Sequence, residues 1–198
     1  MKILCCILSL LVLSSSSAYA IAPISAETIR QAQEYGVQHA QETLPDFLQP
    51  WISYEEKAAQ LNETTERAYL YTTYLLLATD AREKKSNGKL VLNADSERII
   101  TDYSGMLSFS VTLFSKEPTF IHNTIAVIKQ GKKIVKAYQT TIPSEAEPCT
   151  WLAGRLFKAQ SYFYFSDNDI DVSMPATLVV TTNDKLDHKF YFDLAKIR

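Results

Sequence analysis

Hydrophobic and polar positions change rhythm along this chain. From Ser25 to about Glu42 there is no β-branched run, and Ile29, Ala32, Gly36, Val37, Ala40 and Leu44 recur every three or four residues. That spacing lays a small-to-apolar stripe along one helix face. Ser25 is placed to cap such a helix with its hydroxyl, while Gly36 inside it costs about 1 kcal/mol relative to alanine. Pro45 and Pro50 stop the helix, because each removes a backbone donor and pushes its predecessor away from helical geometry. Phe47, Leu48, Trp51 and Ile52 are expected to plug the core beneath this turn; the sharper alternative makes the Phe47–Trp51 segment an exposed contact for a protein partner.

Ser53 followed by Glu56 fits a capping box. A second helix is therefore predicted from Ser53 through Leu61 and, past Asn62, from Arg67 to about Lys85, with Ala68, Tyr71, Tyr74, Leu75 and Ala78 at helical spacing. The stretch from Tyr69 to Leu77 also fits a buried strand, since short apolar runs do not discriminate; its length and charged continuation favour helix. Ser86-Asn87-Gly88-Lys89 is the clearest turn, because asparagine and glycine tolerate left-handed backbone. A short helix from about Ala94 to Tyr103 follows it.

After Gly105 the period becomes two. Leu107, Phe109, Val111 and Leu113 alternate with Ser108, Ser110 and Thr112, the pattern of a strand with one buried and one wet face. A hairpin is expected from Thr124–Lys129 and Lys133–Thr141 through Gly131. Further strands fall at Ser161–Phe165, Ala176–Thr182 and Lys189–Asp193, the last two joined by Asn183-Asp184-Lys185.

This order predicts an α+β fold: an N-terminal helical layer of two to three helices packed on a C-terminal antiparallel β-sandwich of six to seven strands. The β half, from about Leu90 to Arg198, resembles an immunoglobulin-like module in its strand pattern, without the paired cysteines of antibody domains. The resemblance carries no functional residues across. The organisation expected is a leader over residues 1–20, a helical region over 21–88 and a β region over 89–198, the last two forming one compact domain or two packed layers.

The leader comes from Lys2, the apolar run Ile3 to Leu13 and the small, polar stretch Ser14 to Ala20. That sequence of parts is a secretory signal, and Ala18 and Ala20 supply the small side chains of the cleavage site, placing the mature start at Ile21. The apolar run is about half the roughly 20 residues needed to span a bilayer, so no stable membrane insertion is expected after cleavage. The destination is the periplasm or the exterior.

Losing Lys2 turns a balance of 20 basic and 22 acidic residues into 19 against 22, a formal −3. Such a chain is a poor polyanion binder, and no nucleic acid is expected as a partner. Cys5 and Cys6 leave with the signal, so Cys149 is the one cysteine of the mature chain and no internal disulfide framework exists. Cys149 is expected to be a small buried apolar side chain, with a reactive thiol as the alternative.

The five glycines form no phosphate loop, nucleotide fingerprint or serine elbow, there is no zinc-binding histidine pair, and no cofactor is implied. His39, His122 and His188 stand far apart. The most suggestive cluster is Asp167-Asn168-Asp169-Ile170-Asp171, whose alternate carboxylates Asp167, Asp169 and Asp171 are candidate calcium ligands; a self-bonded solvated turn explains the same residues. The function expected is therefore a non-enzymatic binding or interaction module of the cell envelope or exterior, engaging a partner through an edge strand or the Phe47–Trp51 segment. The alternatives are a small hydrolase or thiol enzyme using Cys149, and a calcium-stabilised adhesive or carbohydrate-binding domain.

Overall fold

A computed structural model of the protein describes residues 21, 24–62, 64–150 and 156–198. They form four α-helices and two antiparallel sheets, a mixed α+β architecture. The leader with Ala18 and Ala20 lies outside the described residues, as does Trp151 beside Cys149.

Helix α1 (Ala26–Gln38) starts where the Ser25 hydroxyl accepts the Thr28 amide. Between the two prolines the chain is helical rather than merely stopped. Thr43 caps α2 (Leu44–Leu48), with Pro45 in its first turn, and a 3-10 turn follows over Gln49–Trp51; in a first turn the missing proline donor has no intrahelical partner to lose. Leu44 falls here and is exposed, not on the α1 stripe. Phe47, Leu48 and Trp51 are buried, and Phe47 and Trp51 pack with Tyr35 while Trp51 stacks on Tyr74. This segment is core, and its large apolar side chains are not available to a partner.

The second helix is replaced at its start by strands. β1 (Ile52–Tyr54) pairs with β2 (Arg67–Tyr71), placing Ser53 opposite Ala68. The Ser53 hydroxyl donates to the Tyr54 carbonyl instead of capping a helix. Within β2, Ala68 and Leu70 are buried while Arg67, Tyr69 and Tyr71 are half-buried, the two-residue alternation of a strand. Thr72 then takes the role assigned to Ser53: its hydroxyl accepts the Leu75 amide at the head of α3 (Thr73–Ser86).

Helix α3 closes on the turn read from the sequence. Gly88, at φ +65°, and Lys89 donate to the Lys85 and Lys84 carbonyls, a Schellman motif. α1 crosses α3 at Gly36, where a Cβ would stand 2.0 Å from the Ala78 carbonyl oxygen. The glycine is thus set by helix contact. α4 (Asn93–Tyr103) joins this layer through Lys84, which bridges Asp80 and Asp95, and through the Gln33–Ser96 bond.

The remaining strands are β3 (Met106–Ser115), β4 (Ile125–Gln130), β5 (Lys133–Lys136), β6 (Gln139–Thr141), β7 (Glu147–Pro148), β8 (Phe157–Ser166), β9 (Ala176–Thr181) and β10 (Asp187–Phe192). One sheet runs β1-β2-β3-β8-β6, with β7 also on β8; the other runs β10-β9-β4-β5. The segment expected as a single strand over Lys133–Thr141 is divided, because β5 pairs with β4 and β6 with β8. Leu70, Phe109 and Phe163 of the first sheet share one hydrophobic cluster with Ile128, Leu178 and Phe190 of the second and with Trp51 and Leu75. Among the described residues no helix is long and apolar enough to cross a membrane.

Candidate functional site

The side chains of β2, β3 and β8 on the face opposite Leu70, Phe109 and Phe163 form three rows fixed by strand register, with Tyr69 and Tyr71 also packed against the hydrophobic cluster. Tyr71, Ser108 and Tyr164 make one row; Tyr69, Ser110 and Tyr162 the next; Arg67, Thr112 and Gln160 the third. Each row places a small hydroxyl residue on the central strand between longer side chains on its neighbours, where opposed residues lie close enough to touch. Ser108, Ser110 and Thr112 are consequently buried, with Ser110 only 1% exposed. The wet face expected for β3 is covered, and the four tyrosines over it are half-buried.

Gln160 donates its amide to the Ser110 hydroxyl at 2.9 Å and to the Tyr162 hydroxyl at 3.1 Å, tying the small track to the ring layer. Burial raises the Tyr71 phenol above its ordinary value, helped by the nearby hydroxyls of Tyr162 and Tyr69. Tyr71 and Tyr162 belong to strands on opposite sides of β3, in adjacent rows. Burial also raises Tyr69, against the opposing charge of Arg67. Arg67 donates to the Thr65 carbonyl at the margin. The rows hold no carboxylate, and their surface is neutral phenol, hydroxyl and amide apart from that one guanidinium.

A second cluster sits between the loop preceding β2 and the start of β10. His188 Nδ1 lies 2.6 Å from Glu66 Oε2, and His188 Nε2 lies 3.2 Å from the Thr182 hydroxyl. An open cavity of about 400 Å³ adjoins Glu66, lined also by Glu55, Ala58, Gln60, Asn62 and Thr65. Carboxylate, imidazole and hydroxyl are the parts of a nucleophilic triad, but here the hydroxyl is buried and turned to another carboxylate. Thr182 is 1% exposed and donates its proton to Asp184 Oδ1 at 2.6 Å, so its oxygen is an acceptor toward His188. Burial works against the imidazolium, yet the Glu66 bond and the charges of Glu66, Asp184 and Glu55 outweigh it and raise the pKa. The Glu66 carboxylate thus favours the protonated form of a ring held between Glu66 and Thr182.

The residues singled out from the sequence scatter. Asp167 and Asp169 lie in a 3-10 turn, whereas the Asp171 carboxylate accepts the Ser173 amide and hydroxyl. Among the described residues no three histidine, cysteine, aspartate or glutamate side chains are grouped to hold a metal ion. Cys149 is buried, 6% exposed, with its amide on the Leu156 carbonyl. The histidine contacts lead elsewhere: His39 to Glu42, His122 to the Ser144 carbonyl, His188 to Glu66 and Thr182. Sequence reasoning missed Tyr69 and Tyr71 as surface residues by placing them on a helix. Their signal was the Arg-Ala-Tyr-Leu-Tyr alternation, matched by Gln160-Ser161-Tyr162-Phe163-Tyr164.

No protein-family model, no curated protein and no solved structure matches this chain.

Proposed function

We propose that the protein is an exported, non-enzymatic binding module of the periplasm or exterior, whose recognition surface is the tyrosine face and whose ligand is a neutral oligosaccharide. The observation that carries this reading is the pair of Tyr-Ser-Tyr rows set side by side on β2, β3 and β8. Phenol rings offer an apolar body with a polar tip at low entropic cost. Sugar rings have the complementary character, C–H faces for the rings and hydroxyls for Gln160 and the tyrosine oxygens.

Charge supports the same class. A phosphorylated or carboxylated ligand calls for clustered cations, and the rows carry only Arg67. Tyrosines of one row stand two strand spacings apart, about 9.6 Å, which suits an extended chain laid across the strands. In this reading the sheets are the layers of a sandwich of immunoglobulin-like pattern, and the leader is removed after Ala20.

Retention of the purified protein on immobilised neutral polysaccharides tests the proposal. Retention by at least one glucan, mannan or galactan, reduced tenfold or more in Tyr69→Ala/Tyr162→Ala, is expected. Failure of every neutral polysaccharide to retain the protein, or equal retention of the variant, contradicts it. Mass spectrometry of the exported product should give an N-terminus at Ile21.

A further inference from the structure

We propose that the outward face of the four-stranded sheet docks on an anionic phospholipid surface. Register places the side chains in rows here too. Ile134, Lys129, Thr177 and Tyr191 form one row, and Lys136, Val127, Val179 and Lys189 the next. Ile125, Thr181 and Asp187 complete the face.

Two properties coincide on it. Ile125, Ile134 and Tyr191 are 59%, 61% and 51% exposed, and they come from three different strands. Lys129, Lys136 and Lys189 lie among them, and Lys132 and Lys133 extend the charge at the β4–β5 turn. None of these five ammonium groups is paired with a carboxylate among the described residues. The one acid in the rows, Asp187, accepts the Thr181 hydroxyl. A chain of formal charge −2 therefore carries a local cationic field.

The occupant follows from how the groups are mixed. A linear polyanion is met by a track of cations along one groove. Here lysines alternate with large exposed apolar side chains in two dimensions, over a sheet whose outer strands lie about 14 Å apart. A plane that presents negative headgroups with hydrocarbon just beneath them satisfies both sets at once. The docking is peripheral and independent of the tyrosine-face reading.

Sedimentation with vesicles tests it. At low salt the protein should pellet with vesicles of equal parts phosphatidylglycerol and phosphatidylcholine, and not with phosphatidylcholine alone. Each lysine contributes about fivefold near such a surface, so Lys129→Gln/Lys136→Gln/Lys189→Gln should weaken partitioning about a hundredfold. Ile134→Ser should weaken it at unchanged charge. Lys85→Gln/Lys116→Gln, on exposed sites elsewhere, should have no more than the general effect of lost net charge. Equal pelleting with both vesicles, an unaffected triple lysine variant, or an unaffected Ile134→Ser would each overturn the proposal. The last outcome, joined with competition by polyglutamate, would assign the face to a soluble polyanion.

Discussion

The imidazole of His188 joins the segment before β2 to β10, and its ionisation ties stability to pH. Its pKa lies above the ordinary 6.5 in the folded protein, so the native state binds the proton more tightly than the unfolded chain does. The stabilisation is fully present below about 6.5 and is lost as pH rises through the raised value. Denaturant titrations across that window should show stability falling with pH. Glu66→Gln, which removes the neighbouring carboxylate charge, should flatten the fall. Cys149 gives a second test at this scale, because a buried thiol is shielded from reagents. A thiol reagent should label it only after denaturation; rapid, saturable labelling of the native protein would restore the thiol-enzyme reading.

Among the elements, the α1–α3 crossing depends on a single residue, Gly36. Gly36→Ala forces a Cβ against backbone, not against a side chain that can swing aside. Overpacking of this kind costs about 1–3 kcal/mol, so thermal denaturation should show a melting temperature lower by roughly 2–12 °C. What the sequence announced about elements was local. Ser25 before α1, Asn87-Gly88 after α3, Gly131 between β4 and β5, and the alternation of β3 each act through their own few residues. Ser53 and Glu56 misled for the same reason: the four-residue spacing of a capping box also fits a short strand entering a turn. Pairing with β2, more than ten residues downstream, decided between them. Residues 133–141 divided between two sheets on the choice of partner strands, β4 for one half and β8 for the other.

At the scale of the whole molecule, the end of the chain is tied to distant segments. The Arg198 carbonyl accepts both Trp51 Nε1 at 2.8 Å and the Thr72 hydroxyl at 2.7 Å, and Ile197 is buried in the shared cluster. Deleting Ile197 and Arg198 should leave the Trp51 and Thr72 donors without these acceptors, lowering the unfolding midpoint in denaturant by an amount corresponding to about 2 kcal/mol or more. The candidate site belongs to this scale, which is why so little of it was legible. Ser108 and Ser110 look solvent-facing until Tyr69 and Tyr162 are brought beside them from strands about 40 and 50 residues away. The acidic run at Asp167–Asp171 was conspicuous in the sequence because its residues are adjacent, yet the Asp171 carboxylate is engaged by Ser173 within its own turn.

Residue-resolved nitration of tyrosine, with and without soluble neutral oligosaccharides, reads glycan binding on the tyrosine face itself. Bound glycan should protect Tyr69, Tyr162 and Tyr164, with Tyr191 on the other sheet reacting as before. Unchanged nitration of the three face tyrosines at saturating oligosaccharide would contradict it.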